Sequence, residues 1–238
     1  MAAAKDRTID PNDALALTKF AESGFLVIDH LIPLPFCEQL STDAAIANFA
    51  NAGSRHLLAN PLCRQLALYL KTHRSIRALL PDNAVTVQCT LFDKSQNKNW
   101  LVSLHQDLSI PVQAQVESPL CRGWSKKDGH WFVQPPVDVL SQLVAVRIHI
   151  DASTADNGPL RVIAGTHRFG RLTLSNANAQ KQVHAETTLL VPRGGAIAMR
   201  PLLLHASSKA TSSCPRRVLH FLFGPDQLPY GLKWGVLV

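Results

Sequence analysis

From about residue 84 onward, apolar and polar residues alternate in short segments, and this alternation constrains the fold more than any other feature. It is clearest over 85–92, 143–150, 195–199 and 217–223. Because successive side chains of a β-strand point to opposite faces of the sheet, the pattern predicts strands. Turn residues separate these segments and no long helical pattern lies between them, so we expect an antiparallel sandwich or barrel.

The first eighty residues carry a different pattern, in which apolar residues recur at helical spacing. The pattern predicts a short helix that begins at about residue 14 and ends at Gly24, helices at about 35–49 and 61–80, and a strand at 25–28. No linker or internal repeat divides the chain. We therefore expect one domain over 1–238, with a helical part at about 11–80 and a β-rich core at about 84–224.

Composition limits the class of protein. Hydrophobic residues make up 46% of the 238 residues and charged residues 17%, which is enough for a substantial core. No apolar run reaches the roughly 18 residues of a membrane span, and the N-terminus lacks the apolar region of a secretory signal. The 5 cysteines are odd in number and widely scattered, which favours reduced thiols and a cytoplasmic location.

The segment 108–141 interrupts the alternating pattern. It contains Pro111, Pro119 and the pair Pro135-Pro136, and it shows little periodicity. Long segments without regular structure inside a compact domain are usually lids or disordered. We predict a lid loop here, since the segment directly follows the motif described next.

A His-x-Asp triplet, His105-Gln106-Asp107, is the strongest chemical signal. On a strand, residues two apart project from the same face, so the imidazole and the carboxylate would lie side by side. A further histidine, His205, follows an apolar segment about a hundred residues later. Two imidazoles and one carboxylate form the facial triad that binds non-heme Fe(II) and leaves the opposite face of the metal open.

Four segments together resemble the phytanoyl-CoA dioxygenase-like family of Fe(II)/2-oxoglutarate oxygenases, which includes the ectoine hydroxylases. They are the triplet with its preceding leucine, the stretch 155–167 with its Asn-Gly-Pro and Gly-Thr-His turns, His205 followed by Arg216-Arg217, and the opening helix and strand at 20–28. The resemblance spans roughly residues 14 to 224. It implies a mostly β fold with N-terminal helices and a double-stranded β-helix (jelly-roll, cupin-like) core.

The resemblance also implies a role for individual residues. His105, Asp107 and His205 would bind Fe(II), and 2-oxoglutarate and O2 would be the cosubstrates. Arg216, eleven residues after His205, would pair with the distal carboxylate of 2-oxoglutarate, and Ser207 would donate a hydrogen bond to it. Arg217 is the neighbouring candidate, because only one of two adjacent strand residues can face inward.

Five further residues are candidates for substrate contacts. Gln88 lies on a predicted strand seventeen residues before the triplet, and Arg147 and His149 share one face of another strand. Arg147 and His149 would line the pocket or form a buried ion pair with Asp151 or another neighbour. The tryptophans of the predicted lid, Trp124 and Trp131, complete the set.

We therefore expect an Fe(II)/2-oxoglutarate-dependent dioxygenase that hydroxylates or desaturates a C–H bond of a small organic substrate and releases succinate and CO2. Lys126, Lys127 and the net charge of +7 weakly favour an anionic substrate. One alternative is a relative that binds a ligand without oxidising it. A less favoured one is an oxygenase acting on nucleic acid, since the basic residues are dispersed and only 122–127 combines them with an aromatic residue. The sequence leaves the oligomeric state open.

Overall fold

The computed structural model describes residues 11–47, 53–54, 57–95 and 98–238. Its helices are α1 (Pro11–Ser23), α2 (Leu34–Thr42), α3 (Ala44–Ala47), α4 (Pro61–Thr72), α5 (Arg74–Arg77), α6 (Val137–Gln142) and α7 (Leu174–Val183). Its strands are β1 (Phe25–Ile28), β2 (Gly53–Ser54), β3 (Ala84–Lys94), β4 (Val102–His105), β5 (Ile110–Val112), β6 (Arg122–Lys127), β7 (His130–Gln134), β8 (Val144–His149), β9 (Leu160–Val162), β10 (Thr187–Leu189), β11 (Ala196–Met199), β12 (His205–Ser207) and β13 (Arg216–Pro225).

The largest sheet has the strand order β1-β11-β8-β13-β3-β2, and all its pairings are antiparallel. Its two faces differ in what they bury. Odd-numbered residues of β13, such as Leu219 and Phe221, pack in one core cluster with the N-terminal helices. Even-numbered residues, such as His220 and Leu222, line a cavity on the other side. The alternation seen in the sequence thus separates a helix-covered face from a cavity face.

A second sheet, with the order β10-β9-β12-β4, lies on the other side of this cavity. Leu160 and Val162 of β9 pack in one core cluster with Ala145 and Leu222 of the large sheet. Two antiparallel sheets that enclose a common core form the predicted jelly roll, and the fold class is confirmed.

The predicted loop at 108–141 is wrong. This segment forms a third antiparallel sheet, with the order β5-β7-β6, followed by α6. Its alternation was hard to recognise because the strands are short and β6 contains an irregularity between Arg122 and Ser125. Gly123 lies within that irregularity at a φ of +63°, where an L side chain is strained.

Two of the predicted helices are each divided into shorter ones. The helix predicted at 61–80 breaks at His73, whose ψ of 127° is extended, so α4 and α5 are separate. The helix predicted at 35–49 breaks at Asp43, whose carboxylate accepts hydrogen bonds from the Ala45 amide and the Asn60 side chain. The end of that prediction, at Phe49, lies outside the described residues.

α4 is the best-formed of the N-terminal helices. Asn60 caps its N-terminus by accepting a hydrogen bond from the Cys63 amide at 3.1 Å, and Pro61 occupies the first helical position. Its buried residues lie at helical spacing and face the large sheet: Cys63, Leu66, Ala67 and Leu70. Among the described helices, none is both long and apolar enough to span a membrane.

Candidate active site

His105, Asp107 and His205 come together on the wall of the cavity, as the sequence predicted. His105 ends β4 and pairs directly across the strands with His205, the first residue of β12. The ring centroids of the two histidines are 4.2 Å apart. Asp107 follows β4, and its carboxylate oxygens lie 3.7 Å from Nε2 of each histidine. One candidate ligand atom from each residue lies within 4.8 Å of the others.

Hydrogen bonds of the two histidines determine which ring nitrogen is free. Nδ1 of His105 donates to the Ser103 carbonyl at 2.8 Å, and Nδ1 of His205 donates to the Leu203 carbonyl at 2.9 Å. Because a carbonyl oxygen can only accept, Nδ1 of each ring carries a proton, and in the neutral imidazole Nε2 is then the nitrogen with a free lone pair. Both Nε2 atoms point toward Asp107, which is the arrangement that metal-binding histidines adopt.

The ionisation states also suit a metal. Burial lowers the pKa of His205 to about 4, so its imidazole is neutral at pH 7. Burial tends to raise the pKa of Asp107, but the neighbouring His205, His220, His105 and Arg147 together favour the carboxylate more strongly, and the net shift is downward. Two imidazoles and a carboxylate are a donor set that fits Fe(II).

Gln106, between the two predicted ligands, fixes their position. Its side-chain amide donates to the carbonyls of Gly170 and Leu202 at 2.8 and 2.6 Å and accepts from the Leu172 amide at 2.8 Å. Gln106 therefore ties the end of β4 to two other loops, and all of its amide groups have partners.

Arg216 lies at the start of β13, where it is 3% exposed and lines the cavity. Its Nε donates to the Asn157 carbonyl at 3.3 Å, and Nη2 lies 3.5 Å from Oγ of Ser207. Burial and the neighbouring Arg147 lower the pKa of Arg216 to about 9, so the guanidinium keeps its charge at pH 7. Ser207 and Arg216, both predicted for the cosubstrate, are thus adjacent.

Lys94 is a functional candidate that the sequence analysis missed. It is fully buried, and its Nζ donates to Oγ of Ser207 at 2.7 Å and to the Ser208 carbonyl at 2.5 Å. Burial, followed by the charges of Arg216, Arg147 and Arg161, lowers its pKa to about 8. The alternation of β3 could have revealed Lys94. It is an even number of residues after the inward-facing Gln88 and therefore lies on the same face of the strand.

Arg217 points to the opposite face of β13. Its Nε and Nη2 bind the two carboxylate oxygens of Asp151 at 2.8 and 2.9 Å, and Nη1 donates to the Ser41 carbonyl at the end of α2. Arg217 therefore ties the large sheet to the helical layer. Of the two adjacent arginines, the structure brings only Arg216 to the cavity.

The five substrate candidates separate into two groups. Gln88 and Arg147 line the cavity. His149 is buried with neither ring nitrogen hydrogen-bonded, and it lies outside the cavity lining. Trp124 and Trp131 pack edge to face, with centroids 6.3 Å apart, in the third sheet and also outside the lining. The alternative of an ion pair with Asp151 is wrong, because Arg217 holds that carboxylate.

The cavity itself has a volume of about 470 Å³, within the range of small-molecule sites. Apolar residues make up much of the wall between the charged ends: Phe92, Trp100, Leu108, Phe132, Leu143 and Leu222. Ile110, Lys127 and Phe132 come from the third sheet, so the segment predicted as a lid forms part of the wall.

Comparisons with known proteins identify the family and the fold. The family described as phytanoyl-CoA dioxygenase matches residues 20–218. No curated protein sequence matches the chain. Three solved structures with 10–17% sequence identity share the fold.

The first is the non-heme alpha-ketoglutarate-dependent epimerase SnoN from nogalamycin biosynthesis, at 10% identity and a TM-score of 0.66, with 93% of this chain and 92% of that chain covered. The second is HygX from Streptomyces hygroscopicus with iron bound, at 14% identity and a TM-score of 0.63, covering 92% and 87%. The third is EctD from S. alaskensis with bound Fe, at 17% identity and a TM-score of 0.67, covering 94% and 79%.

The family match covers most of the chain, and enzymes of this family use Fe(II), 2-oxoglutarate and O2, the cofactors predicted from the sequence. The chain belongs to the phytanoyl-CoA dioxygenase family of Fe(II)/2-oxoglutarate-dependent oxygenases.

Proposed function

We propose that this protein is an Fe(II)/2-oxoglutarate-dependent hydroxylase that acts on a C–H bond of a small organic molecule. The observation that carries the proposal is the cluster of His105, Asp107 and His205, with ligand atoms within 4.8 Å of one another on the wall of a cavity of about 470 Å³. His105, Asp107 and His205 would hold the metal through two Nε2 atoms and one carboxylate.

The 2-oxoglutarate site would extend from the metal to Arg216. Ser207 is two residues beyond His205 on β12, and two residues of a strand span about 6–7 Å. A five-carbon dicarboxylate covers a similar distance between the end that chelates a metal and its distal carboxylate. That carboxylate would then reach Arg216, Lys94 and Ser207, which together offer a guanidinium, an ammonium and a hydroxyl.

Iron and 2-oxoglutarate bound there supply, with O2, an oxidant that removes a hydrogen atom from a substrate C–H bond, with release of succinate and CO2. The chain's own contribution is position and exclusion of water. The Nδ1 hydrogen bonds fix both imidazoles, and the apolar wall keeps the reacting C–H bond in a dry environment.

Asp107 supports hydroxylation over halogenation. Related halogenases have a small residue at the corresponding place, which leaves room for chloride, whereas this chain has a carboxylate. Desaturation would use the same site. Since two structurally similar proteins are named as an epimerase and a carbocyclase, products should be analysed for oxygen insertion, loss of two hydrogens and isomerisation alike.

The alternative of nucleic acid as substrate has little support. Lys126 lies over the Trp131 ring at 4.7 Å and Lys127 over the Phe132 ring at 4.9 Å. The one basic stretch that contains aromatic residues is therefore engaged with the third sheet itself. The predicted cytoplasmic location stays a prediction.

The first experiment is an anaerobic optical titration of the metal-free protein with Fe(II) and 2-oxoglutarate. We expect a weak visible charge-transfer band, which Asp107→Ala should abolish or alter while the circular dichroism spectrum stays unchanged. A matched control is Asp226→Ala, which removes an exposed carboxylate at the end of β13. If the folded wild type forms no band, the protein is instead a ligand-binding relative without oxygenase activity.

A further inference from the structure

A row of three polar side chains crosses the cavity face of the large sheet. His220 of β13 pairs with Thr90 of β3 on one side and with Arg147 of β8 on the other. All three residues line the same cavity as His105, Asp107 and His205. The other face of the sheet packs in a continuous apolar core. The polar side chains of this row take no part in that packing and face the cavity instead.

Arg147 is a buried cation whose hydrogen-bonding capacity is incompletely used. It is 6% exposed, and its Nε has no hydrogen-bond partner. In the part of the chain that the structure describes, no carboxylate oxygen lies within 4.0 Å of its guanidinium. The guanidinium rests over the Phe92 ring at 5.0 Å, which leaves its edge available for a planar partner.

His220 positions Arg147 without neutralising it. Nη1 of Arg147 lies 3.2 Å from Nδ1 of His220. Because a guanidinium can only donate, Nδ1 accepts and the imidazole is neutral, with its proton on Nε2. Asp107 favours the charge of Arg147 from beyond salt-bridge distance, but its carboxylate would be occupied by the metal, so Arg147 lacks a counter-ion of its own.

The expected metal and cosubstrate do not compensate it either. Within the cavity lining, Arg147, Arg216 and Lys127 carry three positive charges and Asp107 carries one negative charge. Fe(II) and the 2-oxoglutarate dianion would add equal and opposite charges, so an excess of two positive charges remains. A buried cation without a counter-ion is strongly disfavoured, and an anionic group delivered by the substrate would remove the cost at Arg147.

We propose that Arg147 binds a carboxylate of the substrate, so that the enzyme acts on a small organic acid with an apolar body. The inference rests on the proposed function and adds a substrate class to it. The acid group would bind to the guanidinium of Arg147, and the apolar part would lie against Phe92, Phe132 and Leu143. His220 is then a positioning residue, which holds the guanidinium in place.

Acetate is the probe for this site, since it is the smallest carboxylate that a guanidinium can bind through two parallel hydrogen bonds. The protein is first loaded with Fe(II) and saturating 2-oxoglutarate without O2, and the visible band is recorded. Acetate and its uncharged analogue acetamide are then titrated by calorimetry. We expect acetate to bind with a dissociation constant of about 1–10 mM and acetamide at least about tenfold more weakly.

Arg147→Gln should reduce acetate affinity at least about tenfold and leave acetamide and 2-oxoglutarate binding nearly unchanged. Arg122→Gln is the matched control, because it removes the same charge from an exposed position on β6 outside the cavity. If Arg147→Gln fails to fold, Arg147→Lys keeps the charge but not the planar fork and should still weaken acetate binding. The pair 3-phenylpropanoate and 3-phenylpropanamide then measures the contribution of the apolar wall.

Three results would overturn the proposal while leaving the proposed function intact. The first is that acetate does not bind to the loaded wild type, and the second is that acetate binds equally well to Arg147→Gln. The third is that Arg147→Gln loses affinity for 2-oxoglutarate instead of acetate, which would assign Arg147 to the cosubstrate. Failure of the wild type to form the visible band would overturn the proposed function itself, and this inference with it.

Discussion

Arg216 and Arg217 are adjacent in the chain but lie on opposite faces of β13. The side chain of Arg216 enters the cavity beside Ser207, whereas that of Arg217 forms two hydrogen bonds with Asp151 under the helical layer. The same residue type thus lines the candidate site in one position and ties two layers of the fold together in the next.

Substitution separates these two contributions. Arg216→Gln should weaken 2-oxoglutarate binding about 10- to 100-fold, because it removes charge-assisted hydrogen bonds to the distal carboxylate. Arg217→Gln should leave that affinity unchanged and lower the free energy of unfolding by about 1–3 kcal/mol. Calorimetric titration and urea denaturation measure the two quantities, and the opposite pattern would mean that Arg217 holds the cosubstrate.

We expect Lys94 to make 2-oxoglutarate binding depend on pH. Its pKa is lowered from 10.5 to about 8, chiefly by burial. Above pH 8, Lys94 binds fewer protons in the folded protein than in the unfolded chain. The buried charge destabilises the folded state fully below pH 8, and this destabilisation is relieved as the pH rises. A bound carboxylate favours the charged ammonium, so ligand binding reverses this loss of a proton.

We therefore expect 2-oxoglutarate to bind with proton uptake above pH 8 and its affinity to fall as pH rises further. Calorimetry in two buffers with different ionisation enthalpies measures the proton uptake. Lys94→Met should abolish it, whereas Lys19→Met, at an exposed position on α1, should not. Equal proton uptake in Lys94→Met would show that another group titrates.

At the scale of elements, the turn at Asn157-Gly158 supports the cosubstrate end of the cavity. The Asn157 carbonyl accepts from Arg216, and the Gly158 carbonyl accepts from Ser207 at 2.9 Å. Gly158 has a φ of +72°, and a Cβ there would lie 2.6 Å from the Ser208 carbonyl oxygen and 2.9 Å from Cδ of Lys94. The turn has a structural role, and because Gly158 packs against Lys94 it also helps to place the Lys94 side chain beside Ser207.

Gly158→Ala should therefore affect both stability and binding. We expect the free energy of unfolding to fall by about 2–4 kcal/mol, from a strained φ and a steric clash. Affinity for 2-oxoglutarate should also fall, because Lys94 is displaced. Gly231→Ala is the control, since Gly231 has a φ of +72° with open space around it, and it should lose only about 1–2 kcal/mol with no change in affinity. Unchanged affinity in Gly158→Ala would mean that Lys94 does not contact the cosubstrate.

At the scale of the whole molecule, the candidate metal ligands belong to the four-stranded sheet. His105 and His205 come from neighbouring strands, and Asp107 is anchored by its amide to the Pro201 carbonyl at 2.9 Å. In the unfolded chain His205 is on average far from His105 and Asp107, so a metal that binds all three residues binds the folded state preferentially.

A divalent metal should consequently raise the melting temperature. At a free concentration of about 100 times its dissociation constant, the gain is about 2.7 kcal/mol, or roughly 5–10 °C for a chain of this size. Differential scanning calorimetry with Mn(II) or anaerobic Fe(II) tests this, with Asp107→Asn as the comparison. An equal shift in both proteins would place the metal elsewhere.

The sequence by itself determined the local features of this protein. The alternation predicted β3, β8, β11 and β13, and the His-x-Asp spacing placed two candidate ligands on one face, because both depend only on the period of a strand. Strand parity also required that Arg216 and Arg217 face opposite ways, although it did not say which one faces inward.

Tertiary structure decided everything that depends on strands distant in the chain. The pairing of His105 with His205, the convergence of Lys94 and Arg216 on Ser207, and the row formed by Thr90, His220 and Arg147 are all cross-strand relations. The third sheet was missed for the same reason, since its short strands are stabilised by pairing with one another more than by a pattern within each strand. Periodicity tells which face a residue is on, and only the register between strands tells which residues it meets there.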